Sequence, residues 1–74
     1  MAKKRRSYDY VTWEEDGMWA SHVPSVPGVY GLGDTAIEAE TDLAEAMITM
    51  SEYLVKMGEV LPSPRRVRTG QLRV

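Results

Sequence analysis

The chain has no cysteine and a single histidine, His22, among its 74 residues. Disulfides and thiolate metal sites are therefore excluded, and one imidazole cannot build a zinc site alone. No apolar run approaches the ~20 residues of a membrane span. The basic start at Met1–Arg6 is followed by Tyr8–Asp16, where a signal peptide would need its apolar stretch. These absences predict a soluble, cytoplasmic protein with no cofactor and no membrane partner.

Cations are missing from most of the chain. Residues 9–59 hold all eleven carboxylates and only Lys56, a net charge of −10. Lys3, Lys4, Arg5 and Arg6 at one end, with Arg65, Arg66, Arg68 and Arg73 at the other, bring the total back to −2. An acidic body with basic ends fits a basic partner, and it fits equally well a set of solvated helix and turn carboxylates. A chain this short buries only about 60% of its unfolded surface. With disulfides and metal removed, self-association is the remaining source of extra stability.

The chain is organised around Val23–Glu38, a run rich in proline and glycine. Before it, Tyr8–Glu14 predicts a first strand, Glu15-Asp16-Gly17 a turn, and Met18–Val23 a second strand. Two registers are open. A two-residue Asp16-Gly17 turn pairs Trp13 with Ala20 and Glu14 with Trp19, whereas a three-residue loop sets Trp13 opposite Trp19. Both sets of alternating positions carry bulky groups: Val11, Trp13, Met18 and Ala20 on one, Tyr8, Tyr10, Trp19 and Val23 on the other. One helix covers one face only. The surplus, Trp13 and Trp19 foremost, reads either as a partner or oligomer face or as exposed cross-strand pairs.

Pro24 and Pro27 bracket a corner, and Val29–Leu32 can run as a third short strand. The spacing of Gly28, Gly31 and Gly33 does not match a dinucleotide fingerprint, and Asp34 would repel a phosphate at the helix start, so these glycines are structural. Thr35-x-x-Glu38 is a capping box with Asp34 beside it, and Gly58 is a C-terminal stop. They predict a helix over 35–57, about 33 Å long.

At 100° per residue, Ala36, Ala39, Leu43, Met47, Met50, Leu54 and Met57 fall within about 40° of one direction and form the core stripe. Ile37, Ala44, Ile48 and Val55 form a second apolar row roughly 100–140° away, a candidate partner or oligomer face. Leu61-Pro62-Ser63-Pro64 then links to a final strand over 65–74. No nucleophile, base and orienting group converge anywhere. His22 reads as a strand residue, and its neighbour Ser21 points to the opposite face. The chain reads as non-catalytic.

Val23-Pro24-x-x-Pro27-Gly28-Val29, Gly33-Asp34-Thr35-x-x-Glu38-Ala39, Gly58 and Leu61-Pro62-x-Pro64 together resemble the HicB-like antitoxin family, over roughly residues 8–64. Pro24, Pro27, Gly28, Gly33, Asp34, Thr35 and Glu38 carry the structural motif. The resemblance implies an α+β fold of β-β-β-α-β order: an antiparallel three-stranded meander, a long helix on one face and a C-terminal strand, similar to a partial RNase H fold without its active site. On that scheme residues 1–74 are a single domain, with a basic tail at 1–7, the meander at 8–33, the helix at 35–57 and the last strand at 65–74. The resemblance further implies dimers or higher oligomers and a small, basic, RNA-cleaving HicA-type toxin as partner. The helix-turn-helix or ribbon-helix-helix that many members carry is not found before Val74, so a stand-alone short form is expected. The alternative is a homo-oligomeric protein- or ligand-binding module. In the implied fold the last strand lies beside the first, bringing Arg65 and Arg66 to Lys3, Lys4, Arg5 and Arg6 as a basic corner that could touch nucleic acid.

Overall fold

A computed structural model describes residues 6–73. They form strands β1 (Val11–Glu15), β2 (Met18–His22) and β3 (Tyr30–Gly33), followed by helix α1 (Ala36–Lys56). The sheet is antiparallel throughout, in the order β1-β2-β3. The class is α+β.

The hairpin turn resolves the register. Asp16 and Gly17 have φ of 52° and 82°, the pair of positive values that a two-residue type I′ turn requires. Trp13 therefore opposes Ala20, and Glu14 opposes Trp19. The two tryptophans lie on opposite faces of the sheet. β1 begins at Val11, three residues later than its aromatic composition suggests, because its partner ends at His22 and the chain then turns away.

That turn is more than a corner. Val26 N–H donates to Val23 O at 2.9 Å with Pro24 between them, and Pro27-Gly28 makes a second turn in which Gly28 has a φ of 88°. The two turns push Val23, Val26 and Val29 inward, where they and Leu43 make the buried core. Tyr8, Ala46, Met47, Met50 and Leu61 pack around it.

Helix α1 lies mainly over β3 and β2. Gly31 and Gly33 make this approach possible: a Cβ on Gly31 would sit 2.8 Å from Leu43 Cβ, and one on Gly33 would sit 2.7 Å from Ala39 N. The helix starts as the capping box predicts, with Glu38 N–H donating to Thr35 Oγ1 at 3.1 Å and Asp34 N–H donating to the Glu38 carboxylate at 2.9 Å. Of the core stripe, Ala39 and Leu43 are buried while Met57 is 58% exposed. The 21-residue helix extends about 31 Å, and strands this short reach only about 17 Å. Its last turns overhang the sheet.

The final strand expected over 65–74 is not formed: residues 65–73 carry no strand, and Val74 lies outside the described residues. The backbone groups that would build a ladder go to side chains instead. Arg65 N–H donates to Ser25 Oγ at 2.9 Å and Val67 N–H to Asp9 Oδ2 at 2.8 Å. Tyr8 Oη donates to Pro62 O at 2.6 Å, and Arg6 Nη1 to Leu61 O at 3.2 Å. The segment lies against residues 6–9, which precede β1 and are not in a strand themselves. The parallel pairing of a partial RNase H-like β-β-β-α-β arrangement is therefore absent among the described residues.

Candidate functional site

Three surfaces compete for a functional role, and the interior between sheet and helix is not one of them. There Ser21 is fully buried, with its Oγ 2.9 Å from Val11 O and 3.1 Å from Thr12 Oγ1. Thr12 Oγ1 in turn donates to Glu40 Oε2 at 2.8 Å. Two hydroxyl protons serve these three contacts, and the charge-assisted one to Glu40 claims Thr12's. A serine, a threonine and a carboxylate in line suggest hydrolytic chemistry on paper, but a serine with no exposed surface meets no substrate. The group is a polar tie between sheet and helix. Asp42 makes another, accepting Leu32 N–H at 2.9 Å.

The first surface is the face of the sheet turned away from α1. Strand alternation places Val11, Trp13, Met18, Ala20, His22, Tyr30 and Leu32 there, with Glu15 as the one carboxylate contributed by the strands. Such a face is ordinarily polar when nothing covers it. Here Tyr30 and Leu32 are 56% and 57% exposed. Trp13 meets His22 edge-on, with ring centroids 5.5 Å apart, and His22 stacks on Tyr30 at 5.6 Å. Trp13 Nε1 donates to Glu15 Oε1 at 2.8 Å. Sequence reasoning named Trp13 but missed its grouping with His22 and Tyr30, which only the register reveals. Trp19, the other tryptophan named as a candidate and assigned to the opposite set of strand positions, is on the helix side, opposite Gly33.

The second surface is the side row of the helix. Ile37, Ile48 and Val55 are 75%, 60% and 68% exposed, and Ala44 is exposed with them. The first three residues of this row (37, 44 and 48) line an open groove of about 590 Å³ whose opposite wall is Tyr8, Tyr10 and Val23. The groove exists because α1 sits towards β3 and leaves the β1 side uncovered. Val55 stands beyond it on the overhang.

The third surface is the basic corner. Arg6 is held at Leu61, and Arg65 and Arg66 are exposed a few residues further on. Lys3, Lys4 and Arg5 lie outside the described residues. The motif residues Pro24, Pro27, Gly28, Gly33, Asp34, Thr35 and Glu38 are all spent on turns, close approach and capping. Among the described residues, no three His, Cys, Asp or Glu side chains group to hold a metal ion, and no helix is long and apolar enough to cross a membrane.

Comparison with known proteins finds one informative relative. The chain is 36% identical over 52 residues to a UPF0150 protein of Thermoplasma acidophilum, an alignment that covers 70% of this chain and 75% of the relative. No family model matches the chain, and no solved structure matches it.

Proposed function

Because the chain belongs to the UPF0150 family, we propose that it is a non-catalytic, HicB-like antitoxin that binds and neutralises a small, basic HicA-type toxin cleaving RNA. One observation carries this reading: a sheet face of aromatic and aliphatic side chains left bare on an otherwise acidic body. A basic protein complements the charge of that body, and apolar side chains on such a partner would cover the bare face. The motif between Val23 and Glu38 supports the family assignment, and the β-β-β-α order is compatible with the partial RNase H-like kinship that the family implies. In this reading the protein works in the cytoplasm as a dimer or tetramer, without a cofactor, and masks its partner by contact.

The test is co-expression with the product of a neighbouring small basic open reading frame. Co-purification and relief of growth arrest are expected. Absence of a complex at low salt sinks the proposal, as does RNA hydrolysis by the purified chain that is abolished by Asp9→Asn or Glu45→Gln.

A second reading has its own observation. The groove beside Ile37, Ala44 and Ile48 is apolar and open, which fits a stand-alone homo-oligomeric module binding a protein or small ligand. A stable oligomer that buries both the groove and the outer sheet face would favour it.

A further inference from the structure

The outer sheet face contains a more specific device than an apolar patch. Trp13, His22 and Tyr30 come from three different strands and form one aromatic row across the sheet, with the rings 5.5 and 5.6 Å apart. At the Trp13 end, the Glu15 carboxylate lies in hydrogen-bond contact with the indole nitrogen at 2.8 Å. Using one carboxylate oxygen for the indole leaves the other free to accept, beside an aromatic ring.

We infer that the Trp13–Glu15 end of this row is a receptor for an arginine side chain presented by a basic partner protein. The inference rests on the antitoxin reading and deepens it by naming the surface and the contacting chemistry. A guanidinium is planar and weakly hydrated, so it can stack on an aromatic face while its N–H groups reach a carboxylate; an ammonium offers a point charge without the stack. Charge selects the same occupant. Residues 9–59 carry eleven carboxylates against Lys56, and no lysine or arginine lies on β1, β2 or β3 to repel a cation. A nucleic acid would bring phosphates towards Glu15, and a second copy pairing through the same face would bring no lysine or arginine from its strands to meet that carboxylate.

The experiment is a titration of the isotope-labelled chain with a hexa-arginine peptide, followed by amide chemical shifts, with hexa-lysine and a ten-nucleotide uridine RNA as parallel arms. Saturable shifts are expected at Trp13, Glu15, His22 and Tyr30, tighter for hexa-arginine than for hexa-lysine by about fivefold. They should weaken as ionic strength rises. Glu15→Gln and Trp13→Leu should each weaken hexa-arginine binding by about fivefold, with Tyr30→Leu as a second aromatic deletion in case Trp13→Leu disturbs the fold.

Shifts confined to the Ile37–Ala44–Ile48 row, equal response to the two peptides, preference for the RNA, or concentration-dependent shifts of the outer face in the chain alone would each overturn the inference. Failure here is separable from failure of the antitoxin reading. A toxin that co-purifies equally with wild type and with Glu15→Gln removes the arginine receptor only. Hexa-arginine binding on the outer face with no toxin complex removes the toxin only.

Discussion

The Asp42 carboxylate accepts the Leu32 backbone N–H at 2.9 Å, so the helix closes the free edge of β3 with a side chain. An open edge is a template for pairing with other chains, and this bond occupies one of its donors. Asp42→Ala is expected to lower stability by about 1 kcal/mol, the contribution of a partly exposed hydrogen bond to a charged acceptor. It should also raise the tendency to aggregate. Urea denaturation and light scattering check the two effects; unchanged values in both would leave the bond without consequence.

Gly31 marks where the helix backbone rests on the sheet. Gly31→Ala places a Cβ 2.8 Å from Leu43 Cβ, and the helix must lift or the strand bend. A loss of about 1–3 kcal/mol is expected. Gly70→Ala, where nothing lies within 4 Å, is the matched control and should change stability by less than about 0.5 kcal/mol. Thermal melts of the pair decide it.

Ser25 is 3% exposed and accepts the Arg65 N–H from a position 40 residues away. Ser25→Ala removes that anchor without touching the helix contact. Trypsin should then cut after Arg65 and Arg66 faster than in wild type, while circular dichroism of the helix stays the same. Equal cleavage rates would show that the segment is held by Leu61 and the bonds to residues 6–9 alone.

The basic corner yields an electrostatic prediction. Binding of a fluorescent single-stranded DNA should be weak and detectable only at low ionic strength, because phosphate contacts are lost as counterion release becomes less favourable. The double change Arg65→Glu, Arg66→Glu should abolish it. If no DNA or RNA binds even at low salt, the corner has no nucleic-acid role.

The sequence reading succeeded where a local rule had no competitor. The Thr35–Glu38 box and the 3.6-residue apolar period each act within a few residues, and each appears in the structure close to its expected place. The Asp16-Gly17 hairpin is there too, but the choice between its two open registers came only with the backbone. The final strand failed for a physical reason: alternation at Val67 and Thr69 shows what the segment could do, but a ladder needs a partner backbone, and side chains at Ser25 and Asp9 take the donors. The aromatic row was hidden for a related reason. Trp13, His22 and Tyr30 are remote in sequence, and a register one residue different would have sent Trp13 to the other face. The helix side row was visible from periodicity, yet the groove beside it depends on where α1 sits across the sheet.

The placement of the core within the Val23–Val29 corner has a consequence for how the chain acquires its structure. Val23, Val26, Val29 and Leu43 all belong to one contiguous stretch, so the decisive contacts close short loops and can form early. The returning segment is another matter, since its bonds to Tyr8, Arg6 and Asp9 span 54, 55 and 58 residues. It should settle only after the hairpin, corner and helix have assembled, giving a chain that folds from its middle outwards and secures its ends last.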